Sequence, residues 1–265
     1  MSEESLTVAT GAERSAAVND YIMQKIADSD KWSLPFIKYV YLPDFISLHQ
    51  LMLVFCGLFL FLFFVVLYRK NDRVPSGLTN ALEVLVIFIR DEVCIACLGD
   101  KDGRKLAPLF LTFFFFILGL NLMGLVPLFA NATGNISVTA GLALITLFFM
   151  IFGSIYYNGI GGFAKAFMPH GVPWPVLIML VPIEFIGLFI KAFALTIRLF
   201  ANMMAGSIVI YALIGLVVVF GAAAFPSILL AVAIFFLKIL VAFLQAYIFT
   251  MLSAMFIGQT LHPEH

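Results

Sequence analysis

Between Leu106 and Ala164 the chain carries no charged side chain. A helix needs about 20 consecutive apolar residues to cross a hydrocarbon core, so this stretch alone allows two passes joined by a turn. Backbone polar groups find no partners in hydrocarbon, which restricts spanning structures to helices and closed barrels. Further apolar runs flank the stretch on both sides. Apolar residues make up 63% of the chain and charged residues 11%, against about 25% charged in soluble domains. These features predict an all-α membrane protein with its core largely in the membrane.

The expected organisation is a polar N-terminal segment, residues 1–45, followed by a single membrane domain, residues 46–265. The first 45 residues are mildly acidic and lack an early apolar core, so a cleaved leader is not expected. Asn19–Lys31 is read as a short surface helix, and Pro35 and Pro43 break the chain before the membrane. Five membrane-crossing helices are expected, at about 48–68, 107–128, 137–157, 175–219 and 227–258, with a hinge at Gly221–Pro226. Residues 76–98 differ. Leu82, Leu85, Val86, Ile89, Val93 and Ala96 or Cys97 repeat at helical spacing, interrupted by Glu83, Arg90, Asp91 and Glu92. That pattern predicts one amphipathic helix on or just inside the membrane surface. Residues 99–105 and 158–175 are read as loops. Asn131 and Asn135 match the glycosylation sequon, which in a tight turn between spans is read as coincidence.

Charge within the membrane is concentrated in one stretch. Glu184, Lys191 and Arg198 stand seven residues apart in an otherwise apolar run. A straight helix drifts only about 20° per seven residues, so the three share one side, and Asn202 and Gly206 extend it. A charge at the centre of a span costs about 2.5–3.5 kcal/mol on insertion scales, so three of them mark a polar seam facing a partner or water. Glu184 and Lys191 have a simpler alternative, pairing with each other or snorkelling. Arg198 has no acidic residue within four positions on either side. Lys238 and Gln245, again seven apart, give the last helix a polar side of its own.

Lysine and arginine counts in the short loops set the orientation. Arg69, Lys70, Arg73, Lys101, Arg104 and Lys105 follow the first span and place that loop in the cytoplasm. Five crossings then put the N-terminus outside and the C-terminus inside. A helix of about 45 residues is roughly 65 Å long at 1.5 Å per residue, twice the hydrocarbon thickness. The last two helices are therefore expected to be strongly inclined, with Glu184 nearer the cytoplasm, Arg198 near mid-depth, and Ser207 and Lys238 nearer the outside. Arginine is not deprotonated in proteins, so Arg198 can hold a mobile carboxylate in its ionised form or block leakage, but it cannot carry protons. Polar groups on either side of a fixed cation describe two half-pathways in a stator facing something that moves.

The residues that carry this seam also carry a resemblance. Arg198-Leu-Phe-Ala-Asn-Met-Met-Ala-Gly206, Val241-Ala-Phe-Leu-Gln245-Ala-Tyr-Ile-Phe249, Asn121-Leu-Met-Gly-Leu-Val-Pro127 and Thr133-Gly-Asn-Ile-Ser-Val-Thr139 closely resemble the subunit a family of F-type ATP synthases, over about residues 45–262. The resemblance implies two inclined helices embracing a rotating ring of c subunits, with peripheral-stalk b subunits and other synthase subunits as partners. It also implies a proton-translocating role for Arg198, with Asn202 as its partner, Gln245 on the last helix and Glu184 in the cytoplasmic half-channel. Members of the family commonly carry an acid and a histidine where this chain has Ser207 and Lys238. A hydroxyl and an amine therefore replace the usual outer relay, and sodium coupling is the alternative reading. With no targeting segment expected, the location expected is a bacterial plasma membrane.

Other classes fit less well. A secondary transporter usually shows two related halves, and no internal repeat is present. A membrane enzyme needs a nucleophile or metal set, and the four histidines are scattered. Cys94 and Cys97 form a lone Cys-x-x-Cys without the further ligands of a zinc site. Net charge is zero, with no basic patch for nucleic acid, and no cofactor is expected.

Overall fold

The computed structural model describes Ala16 and residues 31–32, 40–41, 47–67, 77–126, 129–166, 174–220 and 225–261. The surface helix expected at 19–31 (except Lys31), the basic cluster Arg69–Arg73, His170, residues 221–224 of the expected 221–226 hinge and the C-terminal tail lie outside the described residues. The described chain is almost wholly helical. The exception is a two-residue antiparallel pairing of β1 (Lys31–Trp32) with β2 (Val40–Tyr41).

Helix α1 spans Leu48–Leu67, α2 Leu78–Phe88, α3 Ala96–Met123, α4 Ile136–Phe148, α5 Ser154–Ala166, α6 Trp174–Phe220 and α7 Phe225–Leu261. A π-helical turn, Ile89–Ile95, joins α2 to α3, and a second, Phe149–Gly153, joins α4 to α5. Five helical stretches among the described residues, two of them bent at a glycine, are long and apolar enough to cross a membrane: Leu48–Val66, Thr79–Met123, Ile136–Phe163, Pro175–Val217 and Phe225–Leu261.

The loop expected at 99–105, and the described part (158–166) of the loop expected at 158–175, are not loops. The helix runs through both positions and bends at a single glycine in each, Gly99 (φ 79°, ψ 170°) and Gly159 (φ 70°, ψ 170°). Positive φ is open to glycine at no steric cost, so the chain turns in one residue and resumes its helix. The charges that resembled a loop instead support the new turn. Asp100 accepts from Arg104 Nε at 2.8 Å, four residues on, the spacing at which opposite charges face each other on a helix. Asp102 is buried and accepts from the Tyr157 hydroxyl at 3.2 Å, tying the start of α3 to α5.

The amphipathic reading of residues 76–98 agrees with the burial pattern. Ile89 and Val93 are fully buried, Leu82, Leu85 and Val86 pack against the same core, and Glu83 and Glu92 are exposed. The core is centred on α3, which packs along α7, while α4 packs along α6. Phe110, Phe114, Leu195, Leu199, Phe249 and Ile257 are buried together there. Small residues permit the closest approaches. A Cβ on Gly258 would lie 2.5 Å from the Cys97 carbonyl oxygen, so α7 meets the start of α3 backbone to side-chain-free backbone. The turn expected at 129–136 is present as a short 3₁₀ segment, Ala132–Gly134, and the Asn135 side chain caps α4 by accepting from Ser137 N–H at 2.9 Å.

Helix α6 has 47 residues and α7 has 37. At 1.5 Å per residue they are about 70 and 55 Å long, against a hydrocarbon core of about 30 Å. Embedded in a bilayer, both lie strongly inclined. Their outer faces are apolar, with Phe185, Ile186, Phe193, Leu229, Phe236 and Leu240 all exposed.

Candidate functional site

The polar seam lies where α6 and α7 pack, with the turn before α4 closing it on one side. Two contacts across the helix pair set an antiparallel register. Lys238 Nζ donates to Ser207 Oγ at 3.0 Å, and Asn202 Nδ2 donates to Gln245 Oε1 at 3.5 Å. Five residues back along α6 therefore correspond to seven residues on along α7.

Burial of a lysine between two apolar helices is costly unless its head group finds a partner, and its stem must find room. Gly206 supplies the room: a Cβ there would meet Lys238 Cε at 2.9 Å and Cδ at 3.1 Å. The four-carbon stem crosses α6 over this bare backbone and delivers the amine to Ser207. Lys238 is only 8% exposed, Ser207 9% and Gln245 4%. The amine is directed into the helix interface, opposite to what a snorkelling side chain would do.

Arg198 and Glu184 behave differently. Both are exposed, and neither makes a hydrogen bond or ion pair with any described residue. Arg198 lies one turn before Asn202 on α6. Glu184 lies about 21 Å further back along the helix, and Ser207 about 13 Å ahead. Lys191 does not pair with Glu184. It donates to Gln259 Oε1 of α7 at 3.1 Å and sits 5.3 Å from the Phe256 ring centroid. Glu184 is thereby left free of the cation that could have neutralised it. Gln245 Nε2 is buried without a partner among the described residues, and an unmet buried donor costs about 1–3 kcal/mol.

Of the six residues singled out from the sequence, the structure joins four as two pairs, Ser207 with Lys238 and Asn202 with Gln245. Arg198 and Glu184 stay apart on the open side of α6. Three further polar side chains belong to the same constellation. Asn131 Nδ2 donates to Ser207 Oγ at 3.1 Å and to the Met203 carbonyl at 3.3 Å. Thr133 Oγ1 contacts Asn131 Oδ1 at 3.2 Å and Asn121 Oδ1 at 2.9 Å. Asn121 Nδ2 reaches the Ala242 carbonyl, one turn beyond Lys238, at 3.4 Å. A polar circuit thus runs from α7 through α6 and the turn to α3 and back to α7. Its signal in the sequence was the presence of amides in a charge-free stretch, and the sequon reading of Asn131 and Asn135 masked it. Both of those side chains are engaged within the protein.

Fold and seam together define a polytopic helical membrane protein whose two longest helices pack through buried polar contacts and present an arginine unpaired among the described residues. The model of the ATP synthase A chain family matches residues 50–258, and the chain belongs to that family. Among its relatives, a protein named ATP synthase subunit a from Anaeromyxobacter dehalogenans strain 2CP-1 is 50% identical over 195 residues, 72% of this chain and 50% of the relative. ATP synthase subunit a of Chloroherpeton thalassium is 51% identical over 203 residues, 75% of this chain and 60% of the relative. ATP synthase subunit a 2 of Prosthecochloris aestuarii is 42% identical over 279 residues, covering 99% and 85%. The chain spans about half the length of the first of these relatives.

Proposed function

We propose that this chain is the ion-conducting stator subunit of a rotary F-type ATP synthase. In this reading it provides two half-channels for protons against a rotating c-ring, and Arg198 separates them. The observation that carries the reading is the placement of the charges: an exposed arginine on α6 and a carboxylate to one side of it, both unpaired among the described residues, and a buried amine–hydroxyl pair to the other side. A ring carboxylate passing Arg198 loses its proton because the guanidinium favours the ionised form. The proton leaves along the path served by Glu184, and a new one arrives along the path served by Ser207 and Lys238. Asn202 and Gln245 hold the two helices in register at the level of the arginine, and the unmet Gln245 amide supplies a donor for an acceptor arriving there. Net flow in one direction turns the ring.

The sodium-coupled alternative is less well supported by the site's chemistry. Hard cations take oxygen ligands, whereas Lys238 places a donor against the Ser207 hydroxyl. In the proposed orientation the N-terminus faces outside and the C-terminus the cytoplasm of a bacterial plasma membrane, with b subunits of the peripheral stalk alongside.

Affinity purification of the tagged chain from membranes tests the assembly. The expected result is recovery of a small two-helix protein that has a carboxylate at mid-membrane depth and is labelled there by a carbodiimide. Recovery of this chain without any such protein would contradict the proposal.

A further inference from the structure

Asn131 lies 76 residues from Ser207 in sequence, in the turn between α3 and α4, yet its amide reaches into the α6–α7 contact. The Ser207 hydroxyl has one proton and two lone pairs, and all three are used. It donates to the Met203 carbonyl at 3.0 Å, accepts from Lys238 at 3.0 Å and accepts from Asn131 at 3.1 Å. The amide of Asn131 is itself fixed. A Cβ on Gly124 would meet its Oδ1 at 2.8 Å and a Cβ on Gly134 its Nδ2 at 2.8 Å, so it is clamped between two bare backbones while Thr133 contacts its oxygen. Turns are commonly tied down through backbone groups alone. Here one amide hydrogen goes to the Met203 carbonyl and the other to the side chain that faces the buried amine.

The geometry points to Asn131 as a positioning residue of the outer pathway: by occupying one lone pair of Ser207, it leaves the other as the single acceptor presented to Lys238. This rests on the reading of Ser207 and Lys238 as that pathway. Without Asn131 the hydroxyl still donates to the Met203 carbonyl, but its second lone pair is open, and the amine no longer meets a single defined acceptor. The turn before α4 thereby acts on proton transfer without touching the ring.

The test is a double-mutant cycle on ATP-driven proton pumping in inverted membrane vesicles, normalised to assembled complex. Asn131→Ala should slow pumping roughly three- to tenfold, the worth of one hydrogen bond. In a Ser207→Ala background it should add nothing, because the group it positions is gone. A turn that matters only for structure would slow both backgrounds equally. If Asn131→Ala fails to assemble, the isosteric Asn131→Asp is run through the same cycle. It fits between the two glycines but presents an oxygen where the amide donated, and it should slow pumping more when Ser207 is present than in the Ser207→Ala background. Slowing that multiplies with Ser207→Ala, or no slowing at all, overturns the role of Asn131 and leaves the outer pathway standing. Wild-type pumping by Ser207→Ala alone overturns the pathway reading, and this inference with it.

Discussion

Replacing Arg198 with alanine is expected to abolish both ATP-driven proton pumping and ATP synthesis in membrane vesicles, with the assembled complex still present. The expectation follows from what the side chain touches and what it does not. Arg198 is exposed on α6 and bonds to no described residue, so its removal breaks no hydrogen bond or ion pair with the described residues. Its loss is electrostatic. A unit charge 4 Å from a carboxylate is worth about 4 kcal/mol at the effective dielectric of a protein surface, or about a thousandfold in the carboxylate's ionisation equilibrium. Without it, in the proposed mechanism, a ring carboxylate would pass the stator still protonated, and rotation would no longer require transfer. Lysine is a poor substitute, since it offers a point charge on a flexible stem in place of a planar fork of donors. Coupled synthesis at a normal rate in Arg198→Ala would refute the assigned role.

Lys238→Met should have the next largest effect, a fall in proton flux of more than tenfold. Methionine retains an unbranched stem to lie over Gly206, so the helix contact is kept while the amine is lost. The buried placement of the amine against Ser207 is what makes the outcome informative, because a lysine directed to the surface would be replaceable at little cost. Pumping by Lys238→Met within twofold of wild type would remove the residue from the pathway. A flux that requires sodium, with sodium protecting the ring carboxylate from carbodiimide, would replace the proton relay with a different ion.

The seam could be read from the sequence because charge in an apolar run is expensive, and residues seven apart on one helix share a side whatever the tertiary structure. The long α6 and α7 and the buried stripe of Ile89 and Val93 were legible for the same reason: helical period survives without knowledge of neighbours. Contacts between elements were not. No spacing along the chain indicates that Asn131 reaches Ser207, or that Gly206 opens a gap for the Lys238 stem, because both depend on which faces of distant helices meet. Lys191 was seven residues from Glu184 and open to pairing with it, but the nearby Gln259 of α7 takes the amine instead. Residues 99–105 were misread for a local reason. Glycine and clustered charge signal a loop, yet a single positive φ at Gly99 bends the chain and the Asp100–Arg104 pair resumes the helix.

The central claim is that two pathways approach Arg198 from opposite faces and do not connect. Side-specific thiol labelling tests it most directly, with Glu184→Cys and Ser207→Cys introduced singly after Cys56, Cys94 and Cys97 have been replaced. A small, membrane-impermeant methanethiosulfonate is added to one face of sealed vesicles at a time. Position 184 should react only from the cytoplasmic face and position 207 only from the outer face. Reaction of both from the same face, or of either from both faces, would contradict two separate pathways, and reaction of 184 only from outside with 207 only from the cytoplasm would mean a reversed orientation; each result would contradict the account.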